Sequence, residues 1–378
     1  MQLELTEEQK LVQQAARGFA QDRLAPIAAQ IDRDEKIPAE ILDGLAELGL
    51  FGVNVPESLG GAEAGVVAYS LAMQEIAAAC ASTAVTMAVT NMVGEVIAHF
   101  GTPEQRQRYN PRLCGGELRA GSFALSEAEA GSDPGAMRTT ATRDGDDWVI
   151  DGSKQWITSG DFAGVFVVWA RTGEEGTKGI SCFLVDGDAP GLTVGKHEEK
   201  MGLRGSSTTA LHFEGVRVPA SALLGQLGGG FKIAMMALDG GRIGIASQAL
   251  GIGEAALREG ISYAKDRRTF GEPIANRQAI QWMIADSRTE LDAARLLTMR
   301  AACMKESGVR FSRQAAMAKA YASESAWKVC DRALQIHGGY GYTKEYAVER
   351  YIRDVRVTRI YEGTSEIQRI VISRDLLR

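Results

Sequence analysis

Apolar positions repeat with two different periods along the chain, and the change between them divides the sequence. From the start, Leu11, Val12, Ala15, Phe19 and Leu24 recur at the spacing of one helix face. Thr6, followed by Glu7 and Glu8, predicts the N-cap of that helix, and Pro26 predicts a break or kink. Helical patterns follow over about 38–49 and 66–80; over 81–100, Met87, Met92, Val93, Val96 and Ile97 share a face that should turn inward. Residues 1–118 therefore read as an all-helical unit.

Near Gly115-Gly116 the period changes. From 119 to about 218, short runs rich in β-branched and aromatic residues (DDWVIDG, FVVWAR, ISCFLVDG, TTALHFEGVRVP) are separated by Gly and Asp turn signals. Helices do not alternate with these runs, which argues against a doubly wound sheet and predicts an antiparallel, barrel-like β unit over 119–225. After Gly228-Gly229-Gly230, long helical patterns return over about 231–264, 276–306, 310–336 and 345–354, with a short one near 364–376. Their lengths suit a four-helix bundle over 226–378, and the predicted class is α+β. Gly240, Gly241, Gly244, Gly251 and Gly253 weaken the first of these helices, so close packing or a ligand against the backbone should compensate.

With 378 residues, 45% hydrophobic and 24% charged, the chain is long enough for two or three packed domains. A net charge of −6 argues against nucleic acid or an anionic membrane as main partner. No run approaches the roughly 20 uninterrupted apolar residues of a membrane span, so no membrane insertion is expected. MQLELTEEQK carries no signal pattern, and the five cysteines are odd in number and widely spaced; both suggest a cytoplasmic protein with reduced, mostly buried thiols.

No Walker sequence occurs and no G-x-G-x-x-G follows a strand, so a nucleotide cofactor would need another cradle. FALSEAEAGSD (123–133) offers Ser126 and a small-residue turn whose N–H groups suit a ring edge or a pyrophosphate, or is simply a polar turn. In KQWITSG (154–160), Trp156 and Thr158 share one side of a strand; an aromatic plane beside a hydroxyl suits a flat heteroaromatic ring, although a lone strand Trp is usually core. Asp239 and Arg242, three apart on one helix face, make a surface ion pair or a reader of adenine and phosphate. KDRRTFGEPIANRQ (265–278) alone is a solvated charge cluster, and His337 in QIHGGYGY closes a helix that reverses through Gly338 and Gly339. No second His stands at metal-ligand spacing, so no metal is predicted. Glu362 lies in a loop ahead of a helix that Thr364 or Ser365 could cap; by itself it is a first-turn acid favoured by the helix dipole, or a base.

Together these strings resemble the acyl-CoA dehydrogenase family over essentially the whole chain, and especially its short-chain, butyryl-CoA-like members. LSE…AGSD, WITSG, RIGIASQALG, R…FG…Q and HGGYGY followed by YEGTSEIQR stand in the family's order and spacing. The resemblance implies a helical domain, a middle β domain and a C-terminal helical bundle, assembled as a homotetramer that binds FAD. It places Phe123, Leu125, Ser126, Gly131, Ser132, Trp156, Ile157 and Thr158 around the flavin and nearby phosphates. Arg267, Phe270, Gln278, Gln335, Ile336, His337, Gly338 and Gly339 would reach the FAD of a neighbouring subunit, while Thr364, Ser365 and Glu366 hold the cofactor in cis. Asp239 and Arg242 match the family's CoA-binding pair, Ser132 and Gly363 its thioester-arm contacts, and Glu362 its catalytic base. The implied reaction is α,β-dehydrogenation of a short- or medium-chain acyl-CoA in fatty acid β-oxidation, with electrons passed to electron-transfer flavoprotein. Branches that carry the base on the preceding long helix have an acid where this chain has Gly241. Ala128 departs from the family's usual proline, which should loosen the flavin-proximal turn slightly, and Ser126 replaces a commoner threonine. The rival expectations are an oxidase or oxygenase on the same fold and a non-catalytic acyl-CoA-binding scaffold.

Overall fold

The computed structural model describes residues 4–377. Helix α1 (Glu7–Phe19) opens on a capping box: Thr6 Oγ1 accepts from the Gln9 backbone N–H at 3.2 Å, and Gln9 Oε1 accepts from the Thr6 N–H at 3.0 Å. A π turn (Ala20–Leu24) and a 3-10 turn (Ala25–Ile27) carry the chain past Pro26 into α2 (Ala28–Asp34). Next come α3 (Ala39–Glu47), α4 (Gly65–Ala79), α5 (Ala81–Phe100) and α6 (Pro103–Cys114). The apolar period does not reveal α6, because charged residues and an internal Pro111 mask it; its signal is the second capping box, Thr102 with Gln105, and Pro103 in the first turn. In α5, Met87, Met92, Val93, Val96 and Ile97 are all buried. Among the described residues α5 is the one helix long and apolar enough to cross a membrane, but 89% of its apolar window is buried inside the fold, as in a core helix.

The middle part contributes β1 (Gly121–Ala124), β2 (Thr140–Asp144), β3 (Asp147–Thr158), β4 (Val165–Arg171), β5 (Ile180–Asp186), β6 (Leu192–His197), β7 (Thr208–Pro219) and β8 (Leu223–Leu224). They pair in the order β6-β7-β3-β2-β4-β5-β8, with β1 beside β4. One expectation needs correction: the sheet is mixed, not purely antiparallel, since β1 runs parallel to β4 from Gly121↔Val165 to Ala124↔Val168. A parallel neighbour is possible because the link from β1 to β4 contains the β2–β3 hairpin, giving the chain room to cross over. Along β4 and β5, Val165, Val167, Trp169, Cys182 and Leu184 join the helical core, whereas Phe166, Val168, Ala170, Phe183 and Val185 fill the sheet's other face. Burial on both faces explains the near-continuous apolar runs.

The rest of the chain forms α7 (Gly230–Asp266), a small ribbon of β9 (Arg268–Thr269) and β10 (Glu272–Pro273), α8 (Gln278–Glu306), α9 (Ser312–His337), α10 (Val348–Val355) and α11 (Ser365–Leu376). Three helices are long, α10 and α11 lie against α9, and α4 packs across α7 and α8. One glycine of α7 permits that approach: a Cβ on Gly251 would stand 2.3 Å from the Gln74 carbonyl oxygen of α4. All five cysteines are free, four buried and Cys303 half-buried.

Candidate active site

The turn between α10 and α11 places Glu362 by bending the chain through two left-handed residues, Glu362 at φ +50° and Gly363 at φ +87°. A non-glycine residue adopts that conformation only when its surroundings enforce it. Gln368 Nε2 donates to the carbonyls of Glu362 at 3.1 Å and Gly363 at 2.8 Å, and Lys319 Nζ donates to the Gly363 carbonyl at 2.7 Å. The Tyr361 hydroxyl donates to Gln248 Oε1 on α7. Thr364 is the cap of α11, its Oγ1 accepting from the Ile367 N–H at 3.3 Å, whereas Ser365 donates to Glu324 at 2.8 Å.

The Glu362 side chain points at α7 where that helix has no side chain: a Cβ on Gly241 would stand 1.9 Å from Glu362 Oε2. Part of Glu362 remains accessible, but Oε2 is buried and has no hydrogen-bond partner. Burial raises its pKa to about 7, against the lowering pull of Lys319 and Arg242. Arg242 is buried and donates to Asp239 at 2.5 Å; Asp239 also accepts from Ser312 Oγ, while Arg242 Nε has no partner. Tyr69 closes the pocket from α4, its hydroxyl 2.6 Å from where a Gly244 Cβ would lie. A carboxylate oxygen left free, desolvated and near cations that do not bind it is equipped to accept a proton near neutral pH.

A second cluster gathers at the end of β1. Phe123 packs on Trp169 with ring centroids 4.2 Å apart, and the bulge between Lys154 and Ile157 turns Trp156 outward at φ +64° and 59% exposure. Trp156 is thus no core residue; Ile157 is buried, Thr158 half-buried, and Gly131 and Ser132 are exposed. Beneath this turn Lys154 is fully buried and donates to Glu127 at 2.8 Å and to the Leu125 carbonyl at 3.1 Å.

The remaining predicted contacts form a third cluster around a cleft of about 520 Å³ lined by Tyr263, Arg267, Ile336, His337, Gly338 and Gly339. His337 donates from Nδ1 to the Ala333 carbonyl at 2.8 Å and stacks on Tyr263 at 4.2 Å, a structural role. Phe270 is 96% exposed and Gln278 and Gln335 are also on the surface. This cluster sits at the far end of α9 from Lys319, about 27 Å away by helical rise, so one chain does not bring it to Glu362. An outward Trp156, open glycine backbone and the Arg267 guanidinium beside a cleft fit a cofactor with a flat ring and an anionic linker. Lys319, Gln368, Lys154 and Glu127 were not singled out by sequence reasoning; the available signal for Lys319 was a lone charge on a stripe with Ala315, Ala322 and Ala326.

A mixed α+β fold with a buried, unpartnered carboxylate oxygen at Glu362 and, elsewhere on the surface, an outward Trp156 with exposed small residues is what fold and site define. Family models of the acyl-CoA dehydrogenase N-terminal, middle and C-terminal domains match residues 6–117, 122–216 and 228–377. The mitochondrial short-chain specific acyl-CoA dehydrogenase of Bos taurus is 50% identical over all of this chain and 92% of its own length. Butyryl-CoA dehydrogenase from Megasphaera elsdenii superposes with a TM-score of 0.98 at 41% identity, covering 100% of both chains. A chain from a structure of the electron transferring flavoprotein of Acidaminococcus fermentans does so with a TM-score of 0.98 at 43% identity, again over 100% of both. The chain belongs to the acyl-CoA dehydrogenase family of FAD-dependent oxidoreductases.

Proposed function

We propose that this protein converts a short- or medium-chain acyl-CoA to the trans-2-enoyl-CoA, with Glu362 taking the α proton. The observation that carries the reading is the free, buried Oε2 of Glu362 opposite Gly241. When bound, FAD supplies the hydride acceptor. Asp239 and Arg242 hold the CoA part, and Ser132 and Gly363 line the thioester arm. The Glu362 N–H donates to the thioester carbonyl, steadying charge that develops as the α carbon loses its proton. Tyr69 and the helical walls keep water from Oε2, and the CoA handle positions the reacting carbons.

The flavin is held by Phe123, Leu125, Ser126, Gly131, Ser132, Trp156, Ile157 and Thr158, and by Thr364, Ser365 and Glu366. Arg267, Phe270, Gln278 and residues 335–339 contact the cofactor of a neighbouring subunit in a homotetramer, in keeping with their distance from Glu362. The working units are 1–118, 119–225 and 226–378, and the protein acts in the cytoplasm. Electron-transfer flavoprotein is the acceptor, a reading supported by the similarity to the Acidaminococcus chain.

The test is anaerobic titration of the yellow protein with butyryl-, octanoyl- and branched acyl-CoA. Bleaching by a straight chain is expected; absence of flavin would overturn the enzyme reading in favour of a binding scaffold, and rapid oxygen uptake after bleaching would favour an oxidase. Glu362→Gln is expected to keep FAD and CoA-thioester binding and to slow flavin reduction by about 10²–10⁴-fold, the range of general-base contributions.

A further inference from the structure

We propose that Lys319 is the positioning residue of the base: anchored on the Gly363 carbonyl, its ammonium fixes the left-handed Glu362–Gly363 turn and lends the carboxylate positive charge without occupying its oxygens. The proposal rests on the reading of Glu362 as base. Lys319 lies about two turns into α9 at zero exposure, and its Nζ donates to the Gly363 carbonyl at 2.7 Å. A charge so buried is expensive unless it is matched. Yet among the described residues no carboxylate oxygen lies within the 4.0 Å of an ion pair with it. The contrast is Lys154, the other fully buried lysine, which binds Glu127 directly at 2.8 Å. A carboxylate bridged in that way has its lone pairs engaged and makes a poor base. Lys319 acts on Glu362 from one peptide away and leaves Oε2 free to accept a proton.

Of the other groups facing the pocket, Arg242 of α7 also pulls on Glu362, but its guanidinium is paired with Asp239 at 2.5 Å. The phenols Tyr69 on α4 and Tyr361 in the turn are driven further toward neutrality by burial. Glu324 of α9 and Glu366 of α11 also act on Lys319, but Glu324 is bonded to Arg359 at 2.9 Å and Glu366 is exposed. Gln368 anchors the same turn but brings no charge. Burial raises Glu362 to about 7 and lowers Lys319 to about 8, each against the opposing pull of the other.

The experiment compares holoenzyme with Lys319→Met and Lys319→Arg, following anaerobic flavin reduction by saturating butyryl-CoA from pH 5.5 to 9. Lys319→Met is expected to shift the acid limb up by about one pH unit, making reduction about tenfold slower than wild type at pH 6. The KM should stay within a few-fold, and Lys319→Arg should restore most of the profile. An unchanged acid limb in Lys319→Met would overturn the proposal. If that variant lost its flavin, Gln368→Met would decide: it removes a turn anchor but no charge, so the rate should fall without a shift of the limb, and a shift would overturn the role given to Lys319. Glu362→Gln measured alongside separates the two ideas. Full activity there sinks the base itself; an inactive Glu362→Gln with an unmoved Lys319→Met profile sinks only the lysine.

Discussion

At Glu362, the proposed reactivity depends on a side chain that α7 lacks. Gly241 leaves the carboxylate its place, and a methyl group there would overlap Oε2 at 1.9 Å. Forcing an atom into a packed site costs about 1–3 kcal/mol, here taken up by moving the base. Gly241→Ala is therefore expected to keep FAD and slow flavin reduction by about tenfold or more. A wild-type rate would mean that the working carboxylate sits elsewhere. The pH dependence follows from the same site. Because the proposed base must be ionised and burial raises the Glu362 pKa to about 7, reduction should accelerate as pH rises through that value and then level. A rate already maximal at pH 5 would contradict it. Glu362, Asp239 and Arg242 were legible as candidates from spacing and residue type, since an acid before a capped helix and an i, i+3 pair are local patterns. Burial is what suits Glu362 to the proposed role of base, and burial is a property of neighbours from α4, α7 and α9.

Among the elements, the turn at 125–132 is shaped by one ion pair. Glu127 accepts from the N–H groups of Arg138 at 2.6 Å and Thr139 at 3.0 Å as well as from Lys154. Burial would raise its pKa, but Lys154 and these N–H groups outweigh that and hold it below the ordinary carboxylate value. Burial in turn lowers Lys154 to about 8 against the opposing pull of Glu127. Ala128 is exposed on the same turn and takes no part in this network. Removing one partner of a buried pair typically costs about 3–5 kcal/mol. Lys154→Met should lower the melting temperature and release FAD more readily on dilution; unchanged flavin retention would detach the pair from cofactor binding. The α7, α8 and α9 helices were readable because their period is local. The parallel β1–β4 pairing was not, because strand alternation specifies faces and leaves the partner open. Trp156 likewise carried a strand signal but no sign of the bulge that turns it outward.

Across the whole molecule, three distant stretches meet at Arg353 and Asp354. Arg353 grips Asp32 through two bonds of 2.9 and 2.8 Å and Glu349 at 2.7 Å, and donates to the Met201 carbonyl at 3.2 Å. Asp354 Oδ1 accepts from the Leu203 N–H at 2.7 Å, and Gly202 between them is required because a Cβ would come 2.3 Å from the Arg353 carbonyl oxygen. Asp354 is buried, which raises its pKa from 3.8 to about 6 despite the hydrogen bond from Leu203. The folded protein thus holds this proton more tightly than the unfolded chain does. Its contribution to stability is complete below the unfolded value near 3.8 and is lost as pH rises through about 6. Asn at 354 can still accept from Leu203 through its side-chain oxygen but does not titrate. Compared with Asp354→Asn, the wild-type melting temperature is expected to fall more steeply between pH 4 and pH 6. Parallel curves for the two proteins across that interval would show that Asp354 keeps an ordinary carboxyl pKa and that the junction is indifferent to its charge.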